Sequence, residues 1–150
     1  MPQTHNRIAS LLLLDDLERF SDFGLLLLRC VTGAFLIYQS HDNVFSAERM
    51  GEFEAFMLQF GFSNPEFLAP LSVYAQFIAG IGFVLGVFTR WLGLVTTFNF
   101  IVALVMVHWG QDVPQIWPAA VLVFLGLYFG VRGAGRFSID HKLGKSDERT

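Results

Sequence analysis

Charge is scarce in this chain. Of its 150 residues only 15% are charged, against about 25% in soluble domains. Cysteine is almost absent. The single Cys30 excludes an intrachain disulfide and the cysteine-rich metal motifs. No haem-attachment motif, dinucleotide fingerprint, iron–sulfur motif or nucleophile motif occurs. A complete redox reaction is therefore not legible in this chain, and electrons would have to enter from a partner or a bound quinone. A net charge of −3 and a pI near 5.7 give no basic footprint, so no nucleic-acid partner is expected.

What is abundant is apolar sequence. Hydrophobic residues make up 53% and aromatics 15%. They cluster in four stretches, at about 23–41, 67–88, 91–109 and 116–132. Each is long enough to cross a hydrocarbon core of about 30 Å as a helix. The third, WLGLVTTFNFIVALVMVHW, has no charged residue, and His108 near its end is its one titratable group. Stretches two to four lack the apolar–polar alternation of a soluble amphipathic helix. The expected fold is all-α, an integral membrane four-helix bundle in a single membrane domain.

The start of the chain is not a cleavable signal peptide. Its apolar run, 11–14, is too short for an h-region and is followed by Asp15, Asp16 and Glu18. Residues 8–20 read either as an interfacial helix before the first span or as a frayed polar tail.

Lys and Arg set the expected orientation. Arg7, Arg19, Arg90, Arg132, Arg136, Lys142, Lys145 and Arg149 fall on one side of a four-span topology, and Arg49 alone on the other. That asymmetry places both termini in the cytoplasm. Trp109 and Trp117 then belong to the outer interface and Trp91 to the inner one.

The loop after the first span carries SAERMGEFEAFMLQFGF. Met50, Phe53, Phe56, Met57 and Phe60 recur at helical spacing, with Glu48, Glu52 and Glu54 on the remaining surface. A short amphipathic helix is predicted at about 47–60, lying extracytoplasmically as a bundle cap or as a lid. Ser72, Ala75, Ala79, Gly82 and Gly86 form a small-residue stripe on the second span, the pattern that lets helix backbones approach in lipid.

The functional signal lies in the polar residues within the spans. Arg29 stands inside the first, in FGLLLLRCVTGAFLIYQSH. A cation at such depth costs from about 2.5 to about 17 kcal/mol, depending on snorkelling and water. No Asp or Glu occurs within the four stretches to neutralise it. A quinone carbonyl or an anion, a partner subunit, backbone carbonyls and lipid phosphate all remain open as its counter-charge. At about 1.5 Å per residue, Arg29 and Asn99 fall at similar depth. Gln76 lies nearer the middle, and His41 and His108 lie near the outer surface with Tyr38 and Gln39 just below. The candidate ligand or quinone site is thus Arg29, Gln76, Asn99, His108 and Tyr38. For each of Gln76 and Asn99 the structural alternative is glue between helices, worth about 0.6–2 kcal/mol. His41 and His108, beside Asp42 and Asp112, are weak candidates for a metal. Cys30 reads as a small packing residue.

The order of several motifs is similar to that of the DoxX family of small four-helix membrane proteins. LLLLRCVTGAFLIYQSHDNVF resembles the family's opening arginine and histidine-containing exit. FEAFMLQFGFSNPEFLAPL resembles its connector, and AQFIAGIGFVLGVFTRW resembles its G-x-x-T-R turn at Gly86, Thr89 and Arg90. GAGRFSIDHKLG resembles its exit motif, with Gly135, Arg136, Phe137, Ser138 and Asp140. The family often has a glutamate where this chain has Gln76. The resemblance implies a multi-pass protein of a bacterial inner membrane. Relatives include the membrane subunit of a thiosulfate:quinone oxidoreductase and membrane partners in oxidative-stress and dioxygenase-associated systems. The expected function is a membrane subunit of a redox system that binds a quinone or docks a soluble oxidoreductase. Its expected surroundings are the lipid bilayer, a partner subunit or further copies of itself. The alternatives are a non-enzymatic anchor or assembly partner, and a transporter of a small solute or metal gated by the two histidines.

Overall fold

Leu25, Arg29, Thr32, Gly33, Leu36 and Ser40 are the buried residues of the first long helix, and they recur at i, i+4, i+7, i+8, i+11 and i+15. One stripe of that helix therefore faces inward, while Phe23, Leu27, Val31, Phe35 and Tyr38 are exposed on its other faces. The computed structural model describes residues 15–147. The interfacial helix expected over 8–20 lies largely outside the described residues, and Asp15–Phe20 form a 3-10 helix.

Six α-helices follow. α1 is Ser21–Phe45, α2 Ala47–Gln59, α3 Pro65–Leu85, α4 Thr89–Met106, α5 Val113–Arg132 and α6 Ile139–Asp147. No strand occurs among the described residues. α1, α3, α4 and α5 are each long and apolar enough to cross a membrane.

Local chemistry fixes where these helices start and stop. α1 runs past His41 to Phe45, because no breaker intervenes before Ser46. The Ser46 hydroxyl then accepts from the Arg49 N–H at 3.3 Å and caps α2. α3 opens on Pro65 and stops at Leu85, where Gly86 takes the left-handed conformation at φ 70°. α5 starts earlier than hydropathy suggests, since Asp112 and Pro114 form a helix entry ahead of the apolar run. α6 is unforeseen. The Ser138 hydroxyl accepts from the His141 N–H at 3.1 Å and caps its first turn.

The bundle is built from two close pairs, α1 with α3 and α4 with α5, joined by a thinner contact between α3 and α4. Glycines explain the close pairs. A methyl group on Gly33 would lie 2.5 Å from the Gly80 carbonyl oxygen. One on Gly93 would lie 2.6 Å from that of Gly126. With no hydrophobic drive between helices in lipid, this backbone proximity supplies the dispersion contacts that hold each pair. The Ala79 and Gly82 of the expected small-residue stripe are buried, but the closest approach runs through Gly80, one residue off that stripe. Between the pairs the core is larger side chains. The Phe83 and Phe129 rings lie 4.8 Å apart, surrounded by Leu36, Phe100 and Leu122.

α2 packs against α1 and α3 and buries Met57. Phe53 stacks on Phe56 along it, and the Phe56 ring meets that of Phe60 at a tilt. Arg49 donates to Glu52 at 2.8 Å, and this bond with the carboxylate's charge raises the Arg49 pKa above its ordinary value. Both groups are exposed, so the pair adds little stability.

Candidate functional site

Two separate polar groups occupy the bundle. The first is a layer of uncharged side chains about midway along it. Gln39 of α1 donates from Nε2 to the Gln76 Oε1 of α3. Gln76 donates from Nε2 to the Ser72 Oγ at 3.1 Å. Ser72 donates to the Asn99 Oδ1 of α4 at 2.8 Å. The chain of bonds runs one way, from α1 through α3 to α4. It ends with the Asn99 Nδ2 donating to no group among the described residues. Gln76, Ser72 and Asn99 are half-buried, and Gln39 is exposed. The layer also bridges the two helix pairs, where the contact is thinner than within either pair.

The second group centres on Arg29, which is wholly buried. Its Nη1 donates to the Phe83 carbonyl at 3.3 Å and its Nη2 to the Phe137 carbonyl at 2.6 Å. Phe83 belongs to the last turn of α3, whose carbonyls have no partner within the helix and carry the negative end of its dipole. Backbone carbonyls, one of the open alternatives, are thus what Arg29 meets. Among the described residues its Nε finds no partner. Arg29 and Asn99, expected at one depth, belong to different hydrogen-bonded groups.

The segment after α5 completes this clasp. The Asp140 carboxylate accepts from the N–H groups of Phe88 at 2.8 Å and Thr89 at 2.9 Å, so it caps α4 from the far end of the chain. The Asp140 N–H in turn donates to the Gly86 carbonyl at 2.9 Å. Arg90 donates to the Val131 carbonyl at 2.6 Å and the Gly130 carbonyl at 3.3 Å, covering the last turn of α5. Three helix ends are therefore tied by three charged side chains. Composition and spacing carried no sign of Asp140 as a cap, because the cap acts across 52 residues. Its place in the SID sequence, two residues after a helix-capping serine, was the available signal.

The histidines stand apart from both groups. His41 Nδ1 meets the Tyr38 carbonyl, and its Nε2 lies 3.0 Å from Asp42. His108 Nδ1 meets the Gln111 Oε1 at 2.7 Å. Tyr38 is exposed and its ring lies against that of His41. Each histidine is engaged by its own stretch of chain. Among the described residues no three His, Cys, Asp or Glu side chains gather closely enough to hold a metal. Cys30 is half-buried beside Arg29 in sequence.

A family profile, DoxX, matches residues 24–109, more than half of the chain. The chain belongs to the DoxX family. It is a membrane protein with four apolar spanning helices. No curated protein and no solved structure matches it. The DoxX match takes in Arg29, Gln76, Gly86 and Asn99 but stops before Phe137 and Asp140. The clasp in this DoxX-family chain thus joins matched residues to a tail beyond them.

Proposed function

We propose that this DoxX-family chain is a non-catalytic membrane subunit of a redox system, and that a quinone docks at the Gln39–Gln76–Ser72–Asn99 layer. The observation that carries this is the directional chain of side-chain hydrogen bonds in an apolar bundle, ending in an Asn99 donor that meets no partner among the described residues. An unfilled N–H in a low-dielectric setting favours a ligand carbonyl. The absence of a charge in the layer suits a neutral ligand, and Gln76 in place of a glutamate removes a proton carrier. Both termini are assigned to the cytoplasm of a bacterial inner membrane. That follows from the excess of Lys and Arg at the end bearing Arg90 and Arg132. In this scheme Arg29 is structural, and His108 and Tyr38 lie outside the ligand contacts.

The test is native mass spectrometry of the protein released gently from its own membrane. Quinone retained by the wild type and lost from Asn99→Leu supports the proposal. A wild type carrying no quinone, or an Asn99→Leu variant that keeps it, ends it.

One observation favours a second role, that of a non-enzymatic anchor. Arg29, Arg90 and Asp140 are all engaged in tying helix ends. Recognition of a partner oxidoreductase then falls to exposed surface, such as Glu48 and Glu52 of α2. Charge reversal there abolishes partner capture under the anchor role and leaves it intact under the quinone role.

A further inference from the structure

At the end of the bundle where α4 begins and α5 stops there is a cleft of about 660 Å³. That is within the range of about 300–1,000 Å³ typical of small-ligand sites. Arg90, Arg132 and Arg136 line it, with Asp22 and Asp140 as its acids. Asp140 is already satisfied by two backbone N–H groups. Asp22 lies 3.7 Å from the Arg132 guanidinium and 3.9 Å from that of Arg136, too far for a hydrogen bond to either. Among the described residues neither guanidinium side chain donates a hydrogen bond. Two planar forks of N–H donors thus line one cleft, ion-paired with Asp22 but donating no hydrogen bond among the described residues, and such forks suit a phosphate.

The position of the cleft selects the source of that phosphate. Phe88 and Trp91 stand on its rim and are exposed at 68% and 71%. Phe88 precedes a spanning helix and Trp91 lies in its first turn, the level at which tryptophan marks the bilayer interface. A ligand held here has its anionic head at Arg132 and Arg136 and an apolar chain beside Trp91. We propose that this cleft binds the headgroup of an anionic phospholipid from the adjoining leaflet. A soluble acidic segment gains nothing from exposed rings at membrane level, and a free phosphate has no use for them.

The full-length protein in detergent, offered equal amounts of phosphatidylglycerol and phosphatidylcholine, tests this by native mass spectrometry. The wild type is expected to retain phosphatidylglycerol selectively. Retention is expected to fall about fivefold for each of Arg132→Ala and Arg136→Ala, and to fall in Trp91→Ala. Arg49→Ala, a basic residue at the opposite end, is expected to leave it unchanged. Helical circular dichroism identifies any variant that fails to fold, and Arg136, 77% exposed, is the substitution least able to disturb folding. Equal retention of the two lipids overturns the proposal, as does an Arg49→Ala loss matching that of Arg136→Ala. Displacement of the lipid by millimolar inorganic phosphate assigns the cleft to a free anion. Displacement by a co-purifying acidic polypeptide assigns it to a protein. Either outcome also overturns the lipid site.

Discussion

Arg29 and Phe137, 108 residues apart, are joined by a 2.6 Å hydrogen bond from the guanidinium Nη2 to the backbone carbonyl. The bond ties the first span to the segment after the last. With the second bond to Phe83, it closes three parts of the chain around one cation. A hydrogen bond to a charged group contributes about 1.5–3 kcal/mol. Arg29→Leu is therefore expected to destabilise the bundle by about 2–5 kcal/mol. Arg29→Lys keeps the charge but lacks the planar fork that spans two carbonyls, and should recover part of that loss. Denaturant titration in micelles, followed by circular dichroism, checks both. Wild-type stability in Arg29→Leu would refute the clasp.

Gly86 gives a second test. It sits at φ 70°, and a methyl group there would collide with the Arg29 guanidinium and lie 2.6 Å from the Ser138 Cβ. Left-handed strain costs about 1–2 kcal/mol, and the clash adds to it because Arg29 is held on two sides. Gly86→Ala should lose about 2 kcal/mol or more. Gly24 is helical, exposed and has nothing within 4 Å of such a methyl. Gly24→Ala should be neutral or stabilise by about 0.5–1 kcal/mol. Equal effects at the two sites would contradict the geometry.

Asp140 is a helix cap supplied from a distance. Asp140→Ala removes both acceptors from α4's first turn and should cost about 1–2 kcal/mol. Asp140→Asn keeps one acceptor and should cost less. Hydrogen exchange of the Phe88 and Thr89 amides reports on the cap directly. Unchanged protection in the alanine variant would show that these amides do not depend on the carboxylate.

The close pairs depend on single atoms. A side chain on Gly80 would meet the Gly33 carbonyl at 2.7 Å and the Ile37 Cγ1 at 2.8 Å. Gly80→Val should force α1 from α3 at a cost of about 1–3 kcal/mol. A disulfide-crosslinking probe placed across the α1–α3 contact should lose efficiency in that variant and keep it in Gly144→Val, where the added atom meets nothing.

Much of the architecture was legible in the chain itself. Scarce charge and four long apolar stretches determine spanning helices, because a backbone in lipid must bond within its own segment. A helix, α2, stands where apolar residues from Met50 onward recur at helical spacing. Helix ends shifted by a few residues wherever a cap or proline acted, as at Gly86 and Asp112. The polar residues within the spans could be picked out one by one, since each is costly in hydrocarbon.

Their partners could not. Helical depth ranks Arg29 with Asn99, but depth says nothing of rotation about the helix axis, and rotation decides which residues meet. Tertiary structure turned Arg29 toward the end of α3 and the tail, and turned Gln76 toward Ser72 and Gln39. It also brought Asp140 to α4, a cap formed across 52 residues. The sequence alone determined which groups are too polar for the bilayer. Only the packing of the two glycine-held pairs decided which of those groups satisfy each other, because hydrogen bonds need distances near 3 Å that hydropathy cannot specify.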